Sequence, residues 1–563
     1  MPDMSVARPV TGSQEMNAAV AQLTTGAQRL VELPLGKRRD LVEACILGVA
    51  RNARAWVEAA CQAKHIASDS ALAAEEILGG HASLLRYLRL LAGTFRDVER
   101  QGNPSLPGRP RKNSLGRTCV PVLPVATLHD RMVFMGLRAE AWLQPGADES
   151  SLFASCLQPT NKQAHQIAGV LGAGNVSTIP ATDTLYKIFH EHQAVLLKLN
   201  PVNDYLDPIF RDALKPLVDA DLLRIVCGGR DIGEALVQHP GIDTLHLTGS
   251  HLTHDAIVWG ADESERARRK LENQPLVAKP VTSELGNVTP WIIVPGDYSS
   301  KQLAAQAEHV AASIVNNGSF NCVATKMIVT ARNWPQRDEF LNLLDKYLKA
   351  VPPRFAYYPG ACERFVRATG QTNYETRDGK LPWTLIRDAR PDDSPHLFAE
   401  ESFVCVCAET ALDEASPEAF LEHAVDFVNE QLFGTLCATL TVPDRFQKTH
   451  APTMERAIER LRYGSVCINQ WSGVVYGLMT PPWGGAPGSS LADPQSGIGS
   501  VHNTFFLDHV EKTVLAGPLR SLMKPVWFAS HRTAHRVAWN LVDFYQKPSL
   551  SKLIPLSLNA LRG

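Results

Sequence analysis

Nowhere does the chain approach the roughly 20 uninterrupted apolar residues that a membrane-crossing helix requires. The segment Met1–Ala18 has no continuous apolar core, which argues against a cleaved secretory leader. Charge of one sign is also missing. The formal net charge is -2 over 563 residues, so no global basic field points to nucleic acid, and no base-reading motif is found. The eleven cysteines are odd in number, scattered and free of any C-x-x-C pair, which speaks against a disulfide framework. Cys405 and Cys407 stand two apart in an apolar run and read as buried strand residues rather than metal ligands, so no metal is expected. A reducing, cytoplasmic setting fits this cysteine usage.

What is present is ordinary globular composition, 45% hydrophobic and 20% charged, in a chain long enough for more than one domain. Residues 15–95 predict helices, with Leu41, Cys45, Val49, Ala53 and Trp56 recurring every three or four positions. The Pro-, Gly- and Arg-rich stretch Asn103–Arg117 predicts an exposed connection. Short apolar runs at Ala194–Leu199, Leu222–Cys227 and Thr244–Leu247 alternate with helix-like segments, the pattern of a parallel sheet with crossover helices. A second α/β block is predicted beyond it, with strands at Trp291–Val294, Thr325–Val329 and Ser402–Val406. From Thr513 to Gly563 seven basic residues face one acid, leaving about −8 on the rest of the chain. Packing of this extension on the body or a neighbouring subunit is the simpler expectation. The sharper one is a surface that touches anionic lipid and helps receive a long-chain substrate.

Several Gly-bearing turns carry candidate chemistry. In Asn316-Asn-Gly-Ser-Phe-Asn-Cys322-Val-Ala-Thr-Lys326 a cysteine follows a polar turn and enters an apolar run. An accessible thiolate there could attack a carbonyl, although most cysteines are simply small buried hydrophobes. Glu284 precedes a Gly-containing turn at a strand start. It could be a general base, but a solvated loop residue is the simpler reading of the residues alone. Gly172-Ala-Gly-Asn175 and Leu247-Thr-Gly249-Ser250 suit close backbone approach to a ligand. Gly228-Gly-Arg-Asp-Ile-Gly233 loosely evokes a phosphate loop but departs from G-x-G-x-x-G.

Taken in order, these segments resemble the aldehyde dehydrogenase superfamily from about Leu41 to Leu515. Asn175 is similar to the family's oxyanion-donating asparagine, and Lys198, 23 residues on, to its cofactor-binding lysine. Leu247–Ser250 resembles F-T-G-S beneath the cofactor pyrophosphate, and Glu284-Leu285-Gly resembles E-L-G. Glu400-Glu401-Ser-Phe403 resembles E-E-I-F, whose second glutamate holds the nicotinamide ribose and whose phenylalanine lies against the ring. Asn429 with Phe433-Gly434, Pro482-Trp-Gly-Gly485, Ser496-Gly-Ile-Gly499 and Leu507–Val514 complete the series; the last resembles a strand that carries subunit contacts.

The resemblance implies an α/β fold, with a Rossmann-like cofactor domain, an α/β catalytic domain and a β oligomerisation arm. Its expected bounds are 1–283 for the cofactor domain (interrupted by arm strands near 118–160), 284–485 for the catalytic domain, 486–515 for a return to the cofactor domain, and 516–563 for the C-terminal extension. It implies oxidation of an aldehyde to a carboxylic acid with NAD or NADP, by a homodimer or homotetramer. Cys322, Glu284 and Asn175 would be catalytic; Lys198, Gly228, Gly249, Ser250, Leu285, Glu401 and Phe403 would bind the cofactor.

Departures from the family keep alternatives open. Cys322 stands four residues after Gly318, one beyond the usual spacing, so that Asn321 occupies the nucleophile's ungapped position. A bulge or altered turn must re-aim the thiol if it reacts; otherwise the chain is a non-catalytic, cofactor-binding relative. C-V-A-T-K and Gly286-Asn287 with Pro290 echo CoA-acylating members, whereas Glu284 favours hydrolysis. Pro201 replaces a glutamate frequent in NAD-preferring members, which leaves NADP open. His254 replaces an expected glycine, and Trp259–Pro275 reads as a solvated insertion.

Overall fold

The computed structural model describes residues 10–125, 127–153, 165–371 and 377–563. Parts of two expectations, the opening residues 1–9 and the arm segment 154–160, lie outside them. The fold is α/β with two large sheets among the described residues. The first helices run over Ser13–Glu32, Leu35–Ala63 and Ser83–Gln101, with a π-helical turn at Ile77–Ala82. Cys45, Val49, Ala53 and Trp56 are buried along one stripe of the second helix, as their spacing predicts.

A six-stranded sheet is built on Ile167–Leu171, Ala194–Lys198, Leu223–Val226, Thr244–Gly249 and Val281–Leu285, all parallel, with Gly497–Ile498 antiparallel at the edge. Ile167–Leu171 is central. The chain adds strands on one side of it, then crosses back to add Thr244–Gly249 on the other. The order therefore reverses between Leu171 and Gly249, where open α/β sheets leave a ligand crevice at their carboxyl ends.

A ten-stranded sheet holds the second block, with parallel strands at Ser465–Ile468, Cys437–Thr441, Pro290–Ile293, Met327–Ala331 and Val406–Leu412. The strand expected at Ser402–Val406 starts only at Val406. Phe403 has a φ of 42°, a left-handed turn that breaks extended pairing. At the other end, Val510–Ala516 pairs in parallel with Ser465–Ile468 and antiparallel with Arg138–Leu143. Both edges of this closing strand are thus occupied within the chain.

The extension forms helices Ala534–Gln546 and Leu550–Ala560. Val537, Ala538, Val542, Phe544 and Tyr545 are buried in the core shared with the N-terminal helices, so packing on the body describes it. Within the insertion, Glu263–Glu272 is a solvated helix, but Trp259 is fully buried and its indole donates to the Leu491 carbonyl at 3.1 Å.

Candidate active site

Cys322 lies where the two sheets meet, in the wall of two cavities. The first, about 1020 Å³, lies at the carboxyl ends of the six-stranded sheet. The second, about 1030 Å³, runs toward the C-terminal helices. The shifted register is resolved by three consecutive left-handed residues, Asn317 (φ 53°), Gly318 (φ 67°) and Ser319 (φ 67°). This turn absorbs the extra residue and directs the Cys322 thiol to Glu284, with Sγ donating to Oε1 at 3.4 Å. Lys326 holds the turn closed, donating to the Ser319 carbonyl (3.0 Å), the Ser319 hydroxyl (2.8 Å) and the Val404 carbonyl (3.1 Å). Asn321 instead turns to Asn316, its amide donating at 3.1 Å.

Glu284 is not a solvated loop residue. It stands near the carboxyl end of Val281–Leu285, paired across from Gly497, and is 4% exposed. Burial pushes its carboxyl up to about 7, and the charge of Asp183 pushes the same way; the Trp483 indole and the Cys322 thiol pull it down. The Cys322 thiol is raised well above its ordinary value, first by burial and then by the carboxylates of Glu284 and Glu401. At rest the pair is thus a neutral thiol hydrogen-bonded to a carboxyl that titrates near neutrality.

Asn175 follows Leu171 in the central loop and packs against the cysteine turn, its amide donating to the Phe320 carbonyl at 3.1 Å. Its own carbonyl accepts from Lys64 (2.8 Å), Tyr357 (3.0 Å) and Asn317 (2.9 Å). Lys64 also bridges Asn317 Oδ1 at 2.9 Å and the buried Glu76 at 2.5 Å. These contacts tie the N-terminal helices to both reactive loops. Sequence reasoning missed Lys64, Glu76, Tyr357 and Asp183. Only a buried charge on an otherwise apolar helix face could have signalled Lys64 or Glu76.

The first cavity gathers most of the remaining expected residues: Lys198, Gly249, Ser250, Leu285, Glu401 and Phe403 all line it. Gly228 does not; Gly229 and Gly233 do. Gly228 has a φ of 148°, and a Cβ on it would lie 2.3 Å from Ile232, so it serves the turn that starts the helix Arg230–Gln238. Ser250 caps His251–Val258 by accepting from the Thr253 N–H at 3.1 Å, which puts a helix N-terminus at the crevice.

A dinucleotide fits this donor set. Glu401 Oε1 is buried without a hydrogen-bond partner, and a Cβ on Gly286 would lie 2.1 Å from its other oxygen. Burial raises the Glu401 carboxyl and lowers the Lys326 ammonium, each opposed by the other's charge. Lys198, lowered by burial, donates to the Leu199 carbonyl at 3.2 Å.

Comparison with known proteins agrees with this geometry. A model described as the aldehyde dehydrogenase family matches residues 205–354, a segment that includes Glu284 and Cys322. Residues 205–354 thus resemble the aldehyde dehydrogenase family. The fold of the chain is similar to that of a Mycobacterium tuberculosis aldehyde dehydrogenase solved with NAD+ (TM-score 0.59, 18% identity, covering 91% of this chain and 92% of that one). It is also similar to an NADP-dependent glyceraldehyde-3-phosphate dehydrogenase from Bacillus halodurans solved with NADP (TM-score 0.58, 16% identity, covering 90% and 92%). A curated relative, aldehyde dehydrogenase LUC3 of a Fusarium species, is 26% identical over 135 residues. The match spans 24% of this chain and 25% of that relative.

Proposed function

We propose that the protein oxidises an aldehyde to a carboxylic acid with NAD or NADP through Cys322. The observation that carries this reading is the 3.4 Å contact between the Cys322 thiol and Glu284 at the junction of the two cavities. Glu284 takes the thiol proton, and the thiolate attacks the carbonyl carbon. The developing oxyanion accepts from the Asn175 amide and a backbone N–H. A bound NAD(P)+ would supply the hydride acceptor, and loss of hydride from the adduct's carbon would leave a thioester on Cys322. Glu284, after releasing the first proton to solvent, removes a proton from water, whose attack on the thioester carbonyl breaks the C–S bond and releases the acid; the proton on Glu284 then returns to the Cys322 sulfur.

Lys198, Ser250, Gly249 and Leu285 would hold the cofactor along the sheet's carboxyl ends, Glu401 a ribose, and Phe403 the nicotinamide face. Domain bounds of 1–283, 284–485 and 486–515, with an extension at 516–563, are part of this proposal, although the strand Val281–Leu285 runs across the first bound and Val510–Ala516 joins the ten-stranded sheet. The Glu284→Gln variant tests the acceptor. It should lower turnover about 10²–10⁴-fold by slowing thiol deprotonation and thioester hydrolysis alike, with no burst larger than one reduced cofactor per Cys322. Undiminished turnover would remove Glu284 from the mechanism. Turnover that appears only with added CoA would replace water by a second thiol, as the C-V-A-T-K run suggests.

Cytoplasmic residence is part of this reading, since Cys322 must stay reduced. A homodimer or homotetramer would have to form without an open edge on Val510–Ala516. Contact of the extension with an anionic bilayer is supported by the exposed Leu550, Ile554, Leu558 and Leu561, which share one helix face beside exposed Lys547 and Arg562. Cosedimentation with phosphatidylserine vesicles, but not with phosphatidylcholine vesicles, is expected; equal recovery from both would refute it.

A further inference from the structure

We infer that the second cavity is an acyl chamber roofed by the C-terminal extension, and that the substrate is an aldehyde with a long apolar chain. This rests on the reading of Cys322 given above. The chamber measures about 1030 Å³, at the upper end of ordinary ligand pockets. Cys322 and Val323 stand at its inner end beside Val474, and Val537, Leu553 and Leu556 of the extension line its roof. The same two helices therefore bury one face in the protein core and complete a void that reaches the thiol. Met135 and Leu522 line the chamber yet are 56% and 91% exposed, and with the exposed Arg520 and Lys524 beside Leu522 they mark its opening to the surface.

The charges on the inner wall are already neutralised. Glu75 pairs with Arg354 at 3.2 Å, Glu76 with Lys64, and Arg86 with Asp130. The chamber thus offers area for methylene groups and little for a phosphate or carboxylate near the reacting carbon. An alkyl chain would enter at the Met135–Leu522 end and present its terminal carbonyl to Cys322, while the cofactor cleft reaches the same sulfur from the opposite side.

Straight-chain aldehydes from propanal to dodecanal, compared by kcat/KM, test the chamber. Each added methylene should raise kcat/KM about fourfold until the void is filled. In Leu556→Trp and, separately, Val537→Phe, the ratio of dodecanal to propanal should fall at least about tenfold. A second readout needs no turnover: dodecan-1-ol should slow alkylation of Cys322 by iodoacetamide far more than propan-1-ol does. Oxidation independent of chain length, with no protection by dodecan-1-ol, would overturn the chamber and leave the dehydrogenase reading standing. Protection by dodecan-1-ol that is lost in both variants, with no aldehyde oxidised, would support the chamber and sink the dehydrogenase reading.

Discussion

Replacing Glu284 by glutamine removes a carboxyl that the fold holds in its most costly form at neutral pH. Burial and Asp183 move this group from 4.5 to about 7. A folded-state value above the unfolded one means that the native protein binds the extra proton, so stability falls as pH rises between the two. Below about pH 4.5 both states are protonated and no cost appears. Above about pH 7 the folded protein carries the full cost, about 3 kcal/mol at 1.36 kcal/mol for each pH step. The glutamine variant is uncharged throughout and can still accept from Cys322. Its advantage over the parent should be under about 1 kcal/mol near pH 5 and about 3 kcal/mol near pH 8. At roughly 2.1 cal/mol/K of unfolding entropy per residue, a 563-residue chain converts that change into a Tm difference growing by about 2 °C. Differential scanning calorimetry of both proteins across this range measures it. A Tm difference that is flat with pH, or largest in acid, would refute a buried and destabilised Glu284.

The other predictions concern the groups around the thiol. Asn175→Ala removes an oxyanion donor and should lower kcat about 10²–10³-fold with little change in aldehyde KM; a KM effect alone would reassign the residue to binding. Lys64→Met leaves Glu76 buried without its partner and should cost about 3–5 kcal/mol in urea unfolding; a loss below about 1 kcal/mol would mean that the pair holds nothing in place. Ser250→Ala loses the cap to Thr253, worth about 1 kcal/mol, and should raise the cofactor KM more than it lowers kcat. In the absence of cofactor, alkylation of Cys322 should keep accelerating above the pH at which an ordinary thiol levels off, because burial and two carboxylates disfavour its thiolate.

Much of the frame was legible because it is written in local pattern. Runs such as Ala194–Leu199, apolar at nearly every position, can only be strands covered on both faces. The order of Gly-bearing turns placed Asn175, Lys198, Ser250, Glu284 and Cys322 around one crevice, and all of them line it. The register of Cys322 was legible as a problem but not as a solution. Asn317 and Ser319 adopt left-handed backbone that their residue types do not demand, and tertiary hydrogen bonds from Lys64 and Lys326 hold them there. Taken alone, Glu284 reads more simply as solvated, because one carboxylate in a Gly-bearing stretch gives no sign of the sheet that closes over it; only its place in the ordered series pointed to the crevice. The strand expected at Ser402 failed for a related reason: Phe403 turns back to the cleft before pairing begins. Lys64 and Tyr357 meet Asn175 from positions more than a hundred residues away, and such contacts leave no periodic trace.

The central claim is that Cys322, re-aimed by the Asn317–Ser319 turn, carries the reaction. Its most direct test is the formation of reduced nicotinamide cofactor from NAD+ or NADP+ with a panel of aldehydes, wild type against Cys322→Ala. The wild type should turn over and the variant should not, with both proteins folded and binding cofactor alike. Turnover that survives the substitution would contradict it.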